Sequence, residues 1–143
     1  MIATLRLLHA LLGIAAVAIS LSIIILGPSM TAATFEGLFD TLTGTTPPHT
    51  GAWPATMDSE LRFYAPLWGA YGLVLLHIAR RLPATLGWIP PTAALFFLGG
   101  IGRAISWLAV GAPHPFFLLL MVIELVLPLV FLALWQAADK PAS

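Results

Sequence analysis

Four charged residues lie inside, or at the edge of, long apolar stretches: Glu60, Arg62, Arg103 and Glu124. A charge at mid-bilayer costs roughly 2.5–3.5 kcal/mol on insertion scales, so such groups pair or serve a function. Arg103 lies eight residues before Gly111, and Glu124 nine residues after Pro115. At about 1.5 Å per residue, both sit about 12–14 Å from the turn joining their helices. Matching depth on consecutive antiparallel helices predicts an ion pair or shared hydrogen-bond network.

Glu60, Tyr64, Leu67 and Tyr71 fall on one helical face, a carboxylate above two phenols. With that face turned inward, the expected intramembrane polar cluster is Glu60, Arg62, Tyr64, Tyr71, Arg103, Trp107, His114 and Glu124, with Trp107 and His114 at its mouth. Arg62 is two residues from Glu60 and so points in a different direction. A purely structural ion network explains these residues as well as a functional site does. His9 and His77 lie near the other ends of their spans and read as interfacial hydrogen-bonding groups; neither has a nearby carboxylate to orient it as a ligand. No phosphate loop, catalytic-serine motif, HExxH or CxxC is present. No catalytic residue, metal site or cofactor is therefore assigned, although a bound lipid or other lipophilic molecule is compatible with the cluster.

The elements that must hold these groups follow from hydropathy. Of 143 residues, 59% are hydrophobic and 8% charged, and there is no cysteine. Soluble domains carry roughly 25% charged residues. Six scattered basic residues exclude a nucleic-acid partner, and the apolar content excludes disorder. Four runs approach the roughly 20 residues needed to cross a bilayer: about 7–26, 61–79, 91–110 and 115–134, with a loop at 27–59. The first run is longer than a signal-peptide core and is expected to be a retained helix. The expected fold is all-α, a single integral membrane four-helix bundle spanning 1–143. Four spans place Arg6, Arg80, Arg81 and Lys140 on one side, and Glu36, Asp40 and Asp58 on the other. The positive-inside rule then puts both termini in the cytoplasm.

In the loop, Phe35, Leu38, Phe39 and Leu42 recur at helical spacing while Glu36 and Asp40 point elsewhere. This predicts a short amphipathic helix on the outer membrane surface, capping the bundle or acting as a lid. His49 reads as a solvated loop residue. Ala10, Gly13, Ala16 and Ser20, and again Gly99, Gly102 and Ser106, form small-residue stripes. Such stripes pack helices together, either within the chain or against another membrane protein.

The segment Ser59-Glu60-Leu61-Arg62-Phe63-Tyr64-Ala65, the run Gly99-Gly100-Ile101-Gly102-Arg103, Pro113-His114-Pro115 and Glu124 resemble a family of small bacterial four-helix membrane proteins catalogued as a domain of unknown function. The resemblance implies a bacterial inner-membrane protein, multi-pass, and draws attention to Glu60, Arg62, Arg103, His114 and Glu124. It implies no reaction. Two function classes stay open. The expected one is a non-catalytic accessory or structural subunit associating with a larger membrane protein assembly, because catalytic motifs are missing and small-residue stripes are present. The alternative is a binder or enzyme for a small lipophilic molecule, whether lipid, sterol-like compound, quinone or carotenoid, using the Glu/Arg cluster. Membrane lipids are partners in both.

Overall fold

The computed structural model describes residues 1–46, 51 and 53–139. His49 and Lys140, which carried a loop and a topology expectation, lie outside the described residues. Five α-helices account for nearly all of the described residues: α1 (Ile2–Leu26), α2 (Pro28–Thr43), α3 (Ala55–Arg81), α4 (Ile89–Val110) and α5 (Pro115–Asp139), with a 3-10 turn at Leu86–Trp88 before α4. Three segments are long and apolar enough to cross a membrane: Ile2–Leu26, Leu86–Val110 and Pro115–Asp139. The second expected span falls within α3, a helix of 27 residues. Asp58, Glu60 and Arg62 at its start, and His77, Arg80 and Arg81 at its end, dilute the apolar stretch between them.

The chain divides into two compact units, Leu12–Val74 and Met1–Leu11 with Leu75 onward. Within Leu12–Val74, α1 and α3 meet across small residues. A Cβ on Gly72 would lie 2.8 Å from the Gly13 carbonyl oxygen and 3.0 Å from the Ala16 Cβ, and one on Gly69 would lie 2.6 Å from Ser20 Oγ. Ser20 Oγ donates to the Ala65 carbonyl at 2.7 Å. The first small-residue stripe is therefore an internal packing face. In lipid, helices gain little from hydrophobic contact, so close backbone approach has to supply the packing.

One residue joins α1 to α2. Gly27 has φ 90°, a conformation that side chains disfavour, and Pro28 opens α2 where its missing N–H costs nothing. The carbonyl of Ile24, left over at the end of α1, accepts Nη1 of Arg62 at 2.6 Å. Nε of the same guanidinium donates to Asp58 at 2.6 Å. A Cβ on Gly27 would come within 2.6 Å of Arg62 Nη2, so glycine is needed there twice over.

The helix expected in the loop is present and runs to 16 residues. Its buried residues are Pro28, Thr31, Ala32 and Glu36, with Glu36 at 0% exposure, while Leu38 and Leu42 are 56% and 77% exposed. The Thr31–Ala32–Glu36 side turns inward because its small residues admit close contact: Thr31 Oγ1 bonds the Gly27 carbonyl at 2.8 Å and lies 3.0 Å from Ser22 Oγ.

In the other unit, Leu5, Leu75, Ile78, Ile89, Phe96, Met121 and Phe131 form the core. Arg6 Nη2 donates to the Leu82 carbonyl at 2.8 Å, just past the end of α3. The Leu82–Pro83 peptide is cis. His9 is fully buried. Its Nδ1 donates to the Leu5 carbonyl at 2.8 Å, and its ring lies 4.3 Å from that of Phe131. Its Nε2 is buried with no partner among the described residues. His77 is exposed, so the two histidines do not share one environment.

Candidate functional site

The polar site is built on the antiparallel pair α4 and α5, joined by the turn Gly111–His114. Gly100 lets the two helices close. A Cβ at this position would meet Leu125 Cδ2 at 2.9 Å and the Glu124 backbone carbon at 3.1 Å. Within the chain the packing glycine of α4 is thus Gly100, whereas the second small-residue stripe, Gly99, Gly102 and Ser106, is exposed. Adjacent residues on a helix differ by about 100° in direction, so Gly100 and Gly102 cannot face the same neighbour.

The close approach brings Arg103 and Glu124 together. Arg103 Nε donates to Glu124 Oε2 at 2.8 Å, and the guanidinium carbon lies 5.8 Å from the Phe117 ring centre. The two partners are unequal, with side-chain exposures of 38% for Arg103 and 8% for Glu124. Among the described residues no second acceptor meets the remaining Arg103 N–H groups, and no donor meets Glu124 Oε1. Gly99, Gly102, Arg103 and Ser106 fall at i, i+3, i+4 and i+7, which is one face of α4. A Cβ on Gly102 would meet nothing within 4 Å, and one on Gly99 would reach only Glu124 Oε2, at 3.9 Å. The ion pair thus borders an open strip of bare backbone. Leu95 and Val110, at the two ends of that face, are 58% and 86% exposed.

Trp107 and His114 belong to the same unit as the pair. His114 is buried at the start of α5, where its Nδ1 accepts the Phe116 N–H at 3.2 Å. It acts as the helix N-cap, a role usually filled by Ser, Thr, Asp or Asn. Trp107, one turn beyond Arg103, is 42% exposed, and its carbonyl accepts the Gly111 N–H at 3.0 Å. Glu60, Arg62, Tyr64 and Tyr71 belong to the Leu12–Val74 unit. There Glu60 is exposed and Arg62 is held by Asp58 and Ile24. Tyr64 is 55% exposed beside Phe63, with ring centres 5.4 Å apart, and Tyr71 is buried and stacked on Trp68 at 5.3 Å. The face shared by Glu60, Tyr64 and Tyr71 is therefore open at its start and covered further along.

Sequence reasoning assigned Asp58 to the loop and gave Gly100 no role. The i, i+4 spacing of Asp58 and Arg62 was the available signal for their ion pair; nothing in the sequence marked Gly100 over its neighbours. Among the described residues, no group of three or more His, Cys, Asp or Glu is placed to hold a metal ion.

Neither a characterised protein nor a solved structure matches the chain. A family pattern does match, over residues 4–135, nearly the whole length and including every residue named in the α4–α5 site. The chain belongs to the family described as domain of unknown function DUF4345.

Proposed function

We propose that this protein is a four-span bacterial inner-membrane protein, with both termini cytoplasmic, that binds a small lipophilic molecule at the Arg103–Glu124 pair. α3 supplies the fourth span in this reading, and α2 lies at the outer interface. One observation carries the proposal: the ion pair has hydrogen-bonding capacity left on both partners, beside bare backbone at Gly99 and Gly102. A pair that existed only to neutralise itself would be closed over by its neighbours. Here 38% of the Arg103 side chain remains exposed on a span, where hydrocarbon offers its donors nothing. A ligand that meets those donors removes a penalty the empty site carries.

A second reading, a non-catalytic accessory subunit of a larger assembly, is favoured by the same open face of α4. Glycines at the surface of a span admit a partner helix at close range, and a polar atom on that helix would meet Arg103. Mass spectrometry of everything that leaves the native membrane with the chain separates the two. A retained lipophile that is lost in Gly102→Leu, with folding intact, supports the binding reading. A stoichiometric protein lost in the same variant supports the subunit reading. If the protein and the variant retain the same set of molecules, neither reading stands.

A further inference from the structure

The valences left open on the pair restrict what its ligand can be. Arg103 offers N–H donors and no acceptor, while the carboxylate of Glu124 offers an acceptor and no donor. The two are already joined at 2.8 Å, so the spare nitrogen and the spare Oε1 are neighbours. Together their charge is zero. An anionic head placed here would bring an uncompensated negative charge beside Glu124, which is 6% exposed. An ammonium would do the same beside Arg103, and at low dielectric either is costly. An ether or ketone oxygen accepts from Arg103 but leaves Oε1 unmet.

We infer that the site takes an uncharged lipophilic molecule bearing a hydroxyl, whose oxygen accepts from an Arg103 Nη while its hydrogen is donated to Glu124 Oε1. The inference rests on the binding reading and names the chemistry of its ligand. The remainder of the face agrees with such a molecule. Bare backbone at Gly99 and Gly102 lets a hydrocarbon body lie close to α4. Exposed Leu95 and Val110 bound the strip at its two ends, about 22 Å apart at the rise of an α-helix. The result is a track with apolar ends and a single charged station between them.

The full chain in phosphatidylcholine nanodiscs is labelled with three photoreactive probes of equal length: a diazirine-bearing octadecanol, its methyl ether and the corresponding carboxylic acid. Labelled peptides are quantified for the wild type, Gly102→Leu and, as a second blocking variant, Ser106→Leu. The expected result is labelling of α4 or α5 by the alcohol at least about tenfold above either other probe, the ratio set by one charge-assisted hydrogen bond, and its loss in the blocked variants. Equal labelling by alcohol and ether, or preference for the acid, overturns the hydroxyl assignment while leaving a lipophile site in place. Labelling by all three that is no greater than in the blocked variants overturns the site itself.

Discussion

Gly100 and Gly102 lie two residues apart on α4 and provide a controlled test of how that helix packs. Replacing either with alanine adds one methyl group and gains the same helix propensity, about 0.8–1.0 kcal/mol. Their surroundings differ. At Gly102 the methyl enters open space, so Gly102→Ala should be stabilising by up to about 1 kcal/mol. At Gly100 it meets Leu125 Cδ2 at 2.9 Å and the Glu124 backbone carbon at 3.1 Å. The leucine can turn aside, but the backbone can give only by moving α5. Overpacking of this kind costs about 1–3 kcal/mol, which leaves Gly100→Ala between neutral and about 2 kcal/mol destabilised. The two variants should therefore differ by about 1–3 kcal/mol, a tenfold change in the unfolding constant corresponding to about 1.4 kcal/mol. Reversible unfolding in mixed micelles, followed by circular dichroism, measures that difference. If the two variants are equally stable, or Gly102→Ala is the weaker, then α4 does not meet α5 through Gly100 and the open face has been misplaced.

The remaining predictions concern the polar contacts. Arg103→Leu strands the Glu124 carboxylate and should cost about 3–5 kcal/mol, whereas the double variant with Glu124→Leu should recover part of that loss; strict additivity in the same unfolding assay would mean that the pair contributes nothing as a pair. Ser20→Ala removes a buried 2.7 Å hydrogen bond and should cost about 1 kcal/mol. His9→Phe keeps the ring against Phe131 and deletes a buried, unpartnered nitrogen. It should change the unfolding free energy by less than about 1 kcal/mol despite the loss of the Leu5 bond, and a larger loss would reveal a partner for Nε2. Arg62→Gln releases Asp58 and the end of α1 and should cost about 1 kcal/mol, limited by the partial exposure of the pair; faster amide hydrogen exchange at Leu26 and Gly27 would locate the effect.

The pairing of Arg103 with Glu124 was legible because a short turn between antiparallel helices forces residues at equal distance from it to equal depth. The face of α4 was harder to read. Gly99, Gly100 and Gly102 are the same residue, and only the position of α5 shows which one is covered. α2 was legible as a helix, while its burial was not. In water, a helix hides leucine and shows glutamate, and Phe35, Leu38, Phe39 and Leu42 recur at that spacing. Where the surroundings are apolar that pattern carries no such meaning, and Glu36 is buried while Leu38 and Leu42 are exposed. α3 shows the same limit. Its length is helical throughout, yet hydropathy discounts it for charges that sit at its ends. Asp58 was read as a loop charge because α3 starts six residues before Leu61, where its longer apolar run begins.

Two arginines tie the two ends of α1 to residues far along the chain. The Ile24 carbonyl near the end of α1 is met by Arg62, 38 residues further along, and Arg6 near its start meets Leu82, 76 residues further along. α1 precedes α3 in the chain, and each of these bonds needs a residue in α3 or just past its end. Cutting the chain before Arg62 would leave α1 open at both ends, whereas cutting it between Arg62 and Leu82 would leave only the Arg6 end unmet.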